Sequence, residues 1–105
     1  MNVVVIKEND RTIAEVKGRV DTTTAPEFQK LITDVMNDKP KCLVLDCSQL
    51  EYISSAGLRA LLIIAKTAKA GGINVNLCAL TDFVVDVLAT SGFDSFFEIK
   101  ASRDE

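Results

Sequence analysis

The stretch that most limits the fold is an apolar run leading through a helical pattern into a second apolar run. Residues 41–46 (Lys-Cys-Leu-Val-Leu-Asp) read as a strand with apolar side chains on both faces, as expected inside a parallel sheet. A short polar loop follows. Leu58, Leu61, Leu62 and Ala65 then recur at helical spacing and point inward, with Lys66 and Lys69 outward, until Gly71-Gly72 stops the helix. Residues 73–80 form another buried strand. Parallel strands joined by a helix cross over right-handedly, so this segment alone points to an α/β fold.

The flanking segments fit around that unit. Residues 2–7 and 12–17 are β-rich runs separated by Glu8-Asn-Asp-Arg11, and Asn9-Asp10 suits a hairpin turn between antiparallel strands. Residues 18–24 are a polar loop. Thr24 stands three residues before Glu27, a capping-box pattern, and Pro26 lies in the first turn of the helix it opens. Phe28, Leu31, Ile32, Val35 and Met36 make one apolar face, and residues 37–40 end the helix. Thr81 caps a third helix through Val84, Val87 and Leu88, closed by Ser91-Gly92. Residues 96–99 are a last strand and residues 100–105 a charged tail. The order is ββαβαβαβ: one domain over residues 1–105, with a mixed, mostly parallel sheet whose first strand is antiparallel.

Composition removes several classes of function. The 105 residues contain no histidine, which excludes Ser-His-Asp and Cys-His nucleophile systems and nearly all zinc sites. No metal or cofactor is expected, and the chain is not expected to be an enzyme. Cys42, Cys47 and Cys78 lie in or beside apolar runs without C-x-x-C spacing, so they read as buried thiols. Net charge is −3, without basic clusters, and there is no tryptophan, so no nucleic-acid partner is expected. No apolar stretch approaches the roughly 20 residues that span a bilayer, and the start lacks a signal-peptide pattern. A cytoplasmic protein without a membrane partner is the expectation, and nothing in the sequence demands more than a monomer.

Functional sites in open α/β sheets lie at the carboxyl ends of the strands. The polar loops there are 18–24 and 46–57. Ser54 and Ser55 open the second helix, where unpaired N–H groups and the helix dipole favour an anion. A hydroxyl at that place is either a cap or an acceptor for phosphate, with Ala56 and Gly57 leaving room for an approaching kinase. The segment Asp21-Thr-Thr-Thr24 is either turn and cap or a polar rim that touches a partner. Asp46 invites comparison with a response-regulator receiver. Neither hairpin strand ends in the acidic pair that such a Mg²⁺ site needs, however, and there are three helices, not five. Asp46 is expected instead to accept backbone N–H bonds in its loop.

Gly18-Arg-Val-Asp21, Val44-Leu-Asp-Cys-Ser48, Tyr52-Ile-Ser-Ser-Ala-Gly-Leu58 and residues 80–97 together closely resemble the STAS domain of bacterial anti-sigma factor antagonists, in order and over essentially the whole chain. The resemblance implies a partner-switching regulator. Its unphosphorylated form binds an anti-sigma factor that is also a GHKL-type serine kinase, releasing the sigma factor. Phosphorylation ends the binding and a PP2C-type phosphatase restores it. The family's phosphoserine stands two residues before the glycine, at Ser55; Ser54 occupies a position that is often Asp and is a minor alternative. The partner-binding residues implied are Asp21, Thr22, Thr23, Thr24, Ser54, Ser55, Ala56, Gly57, Leu58 and Arg59. Alternatives are a STAS subunit of a stressosome-like or lipid-transport assembly, or a small-nucleotide binder.

Overall fold

In a computed structural model that describes residues 1–92 and 97–102, eight elements follow the expected order. They are β1 (Asn2–Lys7), β2 (Arg11–Val20), α1 (Ala25–Met36), β3 (Cys42–Ile53), α2 (Ser55–Ala70), β4 (Asn74–Cys78), α3 (Asp82–Ser91) and β5 (Glu98–Lys100). The sheet order is β1-β2-β3-β4-β5, with β1 antiparallel to β2 and the other pairs parallel. Glu8 N–H donates to the Arg11 carbonyl at 2.9 Å and closes the hairpin around Asn9-Asp10. Each parallel strand lies beside its predecessor, so right-handed crossovers carry every helix to the same side of the sheet.

The helix side of the sheet holds the main core. Phe28, Ile32 and Met36 of α1, Leu58, Leu61, Ile64 and Ala68 of α2, and Val84 and Leu88 of α3 close over Ala14, Leu43, Leu45 and Leu77. The opposite face carries a smaller apolar cluster of Ile13, Val44 and Cys78. Leu43, Val44 and Leu45 are all buried, as a strand apolar on both faces requires. No helix among the described residues is long and apolar enough to cross a membrane.

Several expected boundaries move, for identifiable reasons. The second strand continues through Gly18-Arg-Val20, and the third runs seven residues past Asp46, so the polar loop expected before α2 is strand. Its register explains the missed pattern. Glu15 faces Asp46 but Lys17 faces Gln49, and Gly18 faces Leu50 but Arg19 faces Tyr52, so β3 gains one residue at each of two bulges. Each bulge resets the in–out alternation, which returns Leu50 and Ile53 to the core although their three-residue spacing is not that of a regular strand. Gly18, at φ +92°, supplies the backbone freedom on the partner strand.

Smaller corrections follow from packing. Leu62 and Ala65, expected in the core, are only half-buried, and Ile64 and Ala68, not among the expected inward residues, are buried there instead; Leu31 is exposed. β4 is shorter than residues 73–80. β5 begins at Glu98 and takes in Lys100 from the expected tail, while the expected start at Phe96 lies outside the described residues. Asp46 accepts from Ser48 N–H at 3.0 Å, as expected, but from within a strand and not a loop.

The capping box at Thr24 does not form. Thr24 is the N-cap of α1, yet its side chain caps nothing. Its hydroxyl donates to the Arg19 carbonyl and accepts from Asp21 N–H, each at 2.9 Å, holding the preceding loop closed. Helix α1 needs less capping because Pro26 has no N–H and Ala25 N–H donates to the Asp21 carbonyl at 2.8 Å.

The start of α2 is pressed against the end of β2. Ser54 N–H donates to the Val20 carbonyl at 2.9 Å. A Cβ on Gly57 would stand 2.8 Å from that same carbonyl oxygen and 2.6 Å from the Ile53 side chain. Side chains can turn aside, but a hydrogen-bonded carbonyl cannot. Gly57→Ala should therefore cost about 1–3 kcal/mol, the usual range for overpacking a closed site, measured by urea unfolding. A stability change within about 0.3 kcal/mol, inside the scatter of such fits, would show that the contact is not tight.

Candidate functional site

Two polar segments meet at the carboxyl end of β2 and β3. The bond from Ser54 N–H to Val20 O brings residue 54 beside the start of the 21–24 turn, so the two candidate segments form one surface. Within the turn, Asp21 Oδ1 accepts from Thr23 N–H at 3.0 Å and Thr24 N–H at 3.1 Å. These two bonds and the Thr24 hydroxyl fix a short loop with Thr22 and Thr23 exposed. The Thr24 N–H beside Asp21 is the main reason its carboxyl titrates below the usual aspartate value, with Thr23 N–H, the Thr24 hydroxyl and Arg19 acting in the same direction.

The two serines do different things. Ser54 is the N-cap of α2, in extended conformation at φ −92°, ψ 177°, and its Oγ accepts from Gly57 N–H at 3.3 Å. Ser55 is the first helical residue; it is exposed, and its hydroxyl makes no hydrogen bond among the described residues. The first turn of α2 contains no acidic residue, whereas α1 has Glu27 and α3 has Asp82 there. The positive end of α2 is thus left without the counter-charge that the other two helices carry. Arg59, exposed and four residues after Ser55, lies on the same helix face.

The remaining expected site residues divide by burial. Ala56 is half-buried. Gly57 is buried and acts as a spacer, and Leu58 is 8 % exposed at the edge of the core. Leu58 also lines a groove of about 500 Å³ with Phe83, Asp86, Val87, Thr90 and Ser91. Cys47 and Cys78 are buried as expected, and burial pushes the Cys47 thiol far above its ordinary value, whereas Cys42, at the start of β3, is only half-buried. Burial likewise raises Cys42.

One feature of the site had no role in the sequence reading. The Arg19 guanidinium lies 4.3 Å from the centre of the Tyr52 ring, and Tyr52 stacks on Phe83 with centroids 5.9 Å apart. Arg19 and Tyr52 are register partners across the second bulge. Without knowing that residues 18–20 and 47–53 are paired strands, nothing in the sequence brings these two together. This ladder ties the β2 end of the site to α3.

A family model described as the STAS domain matches residues 2–105. The chain belongs to the STAS family. BtrV of Bordetella bronchiseptica, named as an anti-sigma factor antagonist, is 33% identical over 104 residues, 99% of this chain and 90% of BtrV. RsfB of Mycobacterium tuberculosis, named as an anti-sigma-F factor antagonist, is 32% identical over 75 residues, 71% of this chain and 59% of RsfB. A solved anti-sigma factor antagonist from Mycobacterium paratuberculosis superposes with a TM-score of 0.81 at 27% identity, covering 98% of this chain and 87% of that one. SpoIIAA in its unphosphorylated form gives a TM-score of 0.81 at 13% identity, covering 98% and 90%, and so shares the fold. The five-stranded sheet and the three helices among the described residues are the architecture expected from the sequence.

Two measurements check this site. Ser54→Ala should lose about 1 kcal/mol by removing a cap, while Ser55→Ala stays within about 0.5 kcal/mol, both by urea unfolding. Equal losses would contradict the division of roles. The Thr23 and Thr24 amide resonances should titrate with a midpoint below the ordinary aspartate value of 3.8. Because that carboxyl is depressed in the folded state, whatever it contributes to stability is present above the ordinary value and lost as pH falls through the depressed one. A midpoint at or above 3.8 would show that the two N–H bonds do not persist in solution.

Proposed function

We propose that this STAS domain is an anti-sigma factor antagonist whose binding is switched by phosphorylation of Ser55. The observation that carries the reading is the exposed Ser55 hydroxyl, unbonded on a helix start that Ser54 already caps. Two relatives at 32–33% identity are named as antagonists, and one of them matches nearly the whole chain. The partner is a GHKL-type serine kinase that is also the anti-sigma factor. The unphosphorylated surface of 21–24 and 54–59 binds it and so releases the sigma factor.

The switch follows from charge. The kinase transfers the γ-phosphoryl group of ATP to Ser55 Oγ, leaving ADP, and the phosphoserine carries about −1.5 to −2 charge at neutral pH. At the first turn of α2 this group meets the uncompensated helix dipole, and Arg59 is within reach on the same face, so the fold tolerates it. Inside a closed interface the same charge lacks a partner. An unpaired buried charge costs several kcal/mol, and each 1.4 kcal/mol is tenfold in affinity, so the complex dissociates. A PP2C-type phosphatase then returns Ser55 to the hydroxyl.

Incubation with the cognate kinase and ATP should add one phosphate, found at Ser55 by mass spectrometry. Ser55→Ala should bind the kinase whether or not ATP is present, and Ser55→Asp should bind at least about tenfold more weakly than the unmodified protein. A phosphate found only at Ser54, or none at all, would sink the assignment.

A further inference from the structure

The groove beside α3 is not needed to accept a phosphate, yet its wall is held ready. Phe83 is 49 % exposed, more than any other large hydrophobic residue among those described. Its ring is not loose. It stacks on Tyr52 at 5.9 Å, and Tyr52 is in turn covered by the Arg19 guanidinium at 4.3 Å. An aromatic ring fixed before binding loses little freedom on contact, which is the character of an interface anchor. Leu58 and Val87 extend the apolar lining, and Thr90 and Ser91 form a polar rim. Among the described residues, Asp86 is the one charged residue lining the groove, and it makes no ion pair.

We infer that this groove is a second anchor for the kinase that phosphorylates Ser55. A segment of that partner inserts a large apolar side chain between Phe83, Leu58 and Val87 and sets a Lys or Arg against Asp86. The inference rests on the Ser55 reading and adds where, and by what chemistry, the partner is held. Continuity supports this occupant, since Leu58 lies three residues after Ser55 on the same helix and lines the groove. Charge disfavours a second copy of the chain. A two-fold contact would bring Asp86 towards its own symmetry mate, with Asp82 one turn away, in a chain of net charge −3.

The test is the steady-state rate of Ser55 phosphorylation by the GHKL-type kinase with ATP, as the concentration of the full chain is varied. Phe83→Ala and Asp86→Lys should each raise KM roughly tenfold while kcat stays within about twofold, since both remove binding and not chemistry. Val85→Ala changes an exposed α3 residue that does not line the groove, and should leave both constants unchanged. An unchanged KM in both groove variants, with normal phosphorylation of the unmodified chain, overturns the anchor and leaves the Ser55 assignment standing. No phosphorylation of the unmodified chain overturns both. A concentration-dependent dimer in sedimentation that Phe83→Ala abolishes assigns the groove to a second copy and also overturns the inference.

Discussion

The carbonyl of Val20 is the point on which the functional end of the molecule depends. It closes the last bond between β2 and the chain leaving β3, by accepting from Ser54 N–H, and it sets how near α2 can come, because Gly57 lies against it. One backbone oxygen thus fixes the end of one strand, the exit of the next and the entry of a helix. The direction in which Ser55 projects follows from two paired strands and not from a loop. A side chain positioned by rigid elements keeps its geometry when neighbouring surface residues vary.

Strand order explains why this end is a surface and not a pocket. In doubly wound sheets the order reverses, helices pass to opposite faces, and a crevice opens between them for a nucleotide or substrate. Here the order runs β1 to β5 without reversal, so the helices stay on one side and no such crevice is generated. The two bulges of β3 work in the same sense. They carry the strand past the usual end of pairing and bring Tyr52 opposite Arg19, so a flat ladder of side chains stands where a deep loop cleft otherwise forms. Recognition of another macromolecule suits such a surface better than enclosure of a small ligand.

The parts of the fold governed by a single period were legible in the sequence. Helix α1 announces itself through Phe28, Ile32 and Met36 because packing against one partner imposes one repeat, and the centre of β3 through the unbroken run Leu43-Val44-Leu45, because both its faces are covered. The segment from Cys47 to Ile53 was not legible as strand. Its two extra residues break the alternation, and its polar members resemble a loop. The capping box failed for a different reason. The motif at Thr24 and Glu27 is present, but the Thr24 hydroxyl has a better use in closing the Asp21 turn, which only the meeting of β2 with α1 reveals. At the site, the family resemblance singled out Ser55 and left Ser54 as the minor alternative, but the residues alone offered either serine as cap or acceptor. What the structure adds is which of the two lies outside the helix, a matter of one residue.

That one-residue offset bears directly on how a switch of this kind can work. A phosphate placed on the cap itself would turn the Oγ that accepts from Gly57 N–H into a crowded ester oxygen, at the turn whose close approach to Val20 orients the site. A phosphate placed one residue later leaves that bond in place and gains the dipole of a first turn that has no acidic residue of its own. The charge then changes what the surface can bind while the scaffold beneath it stays the same. On the proposed reading Ser54 and Ser55 divide two tasks: Ser54 holds the helix start, and Ser55 alters its charge.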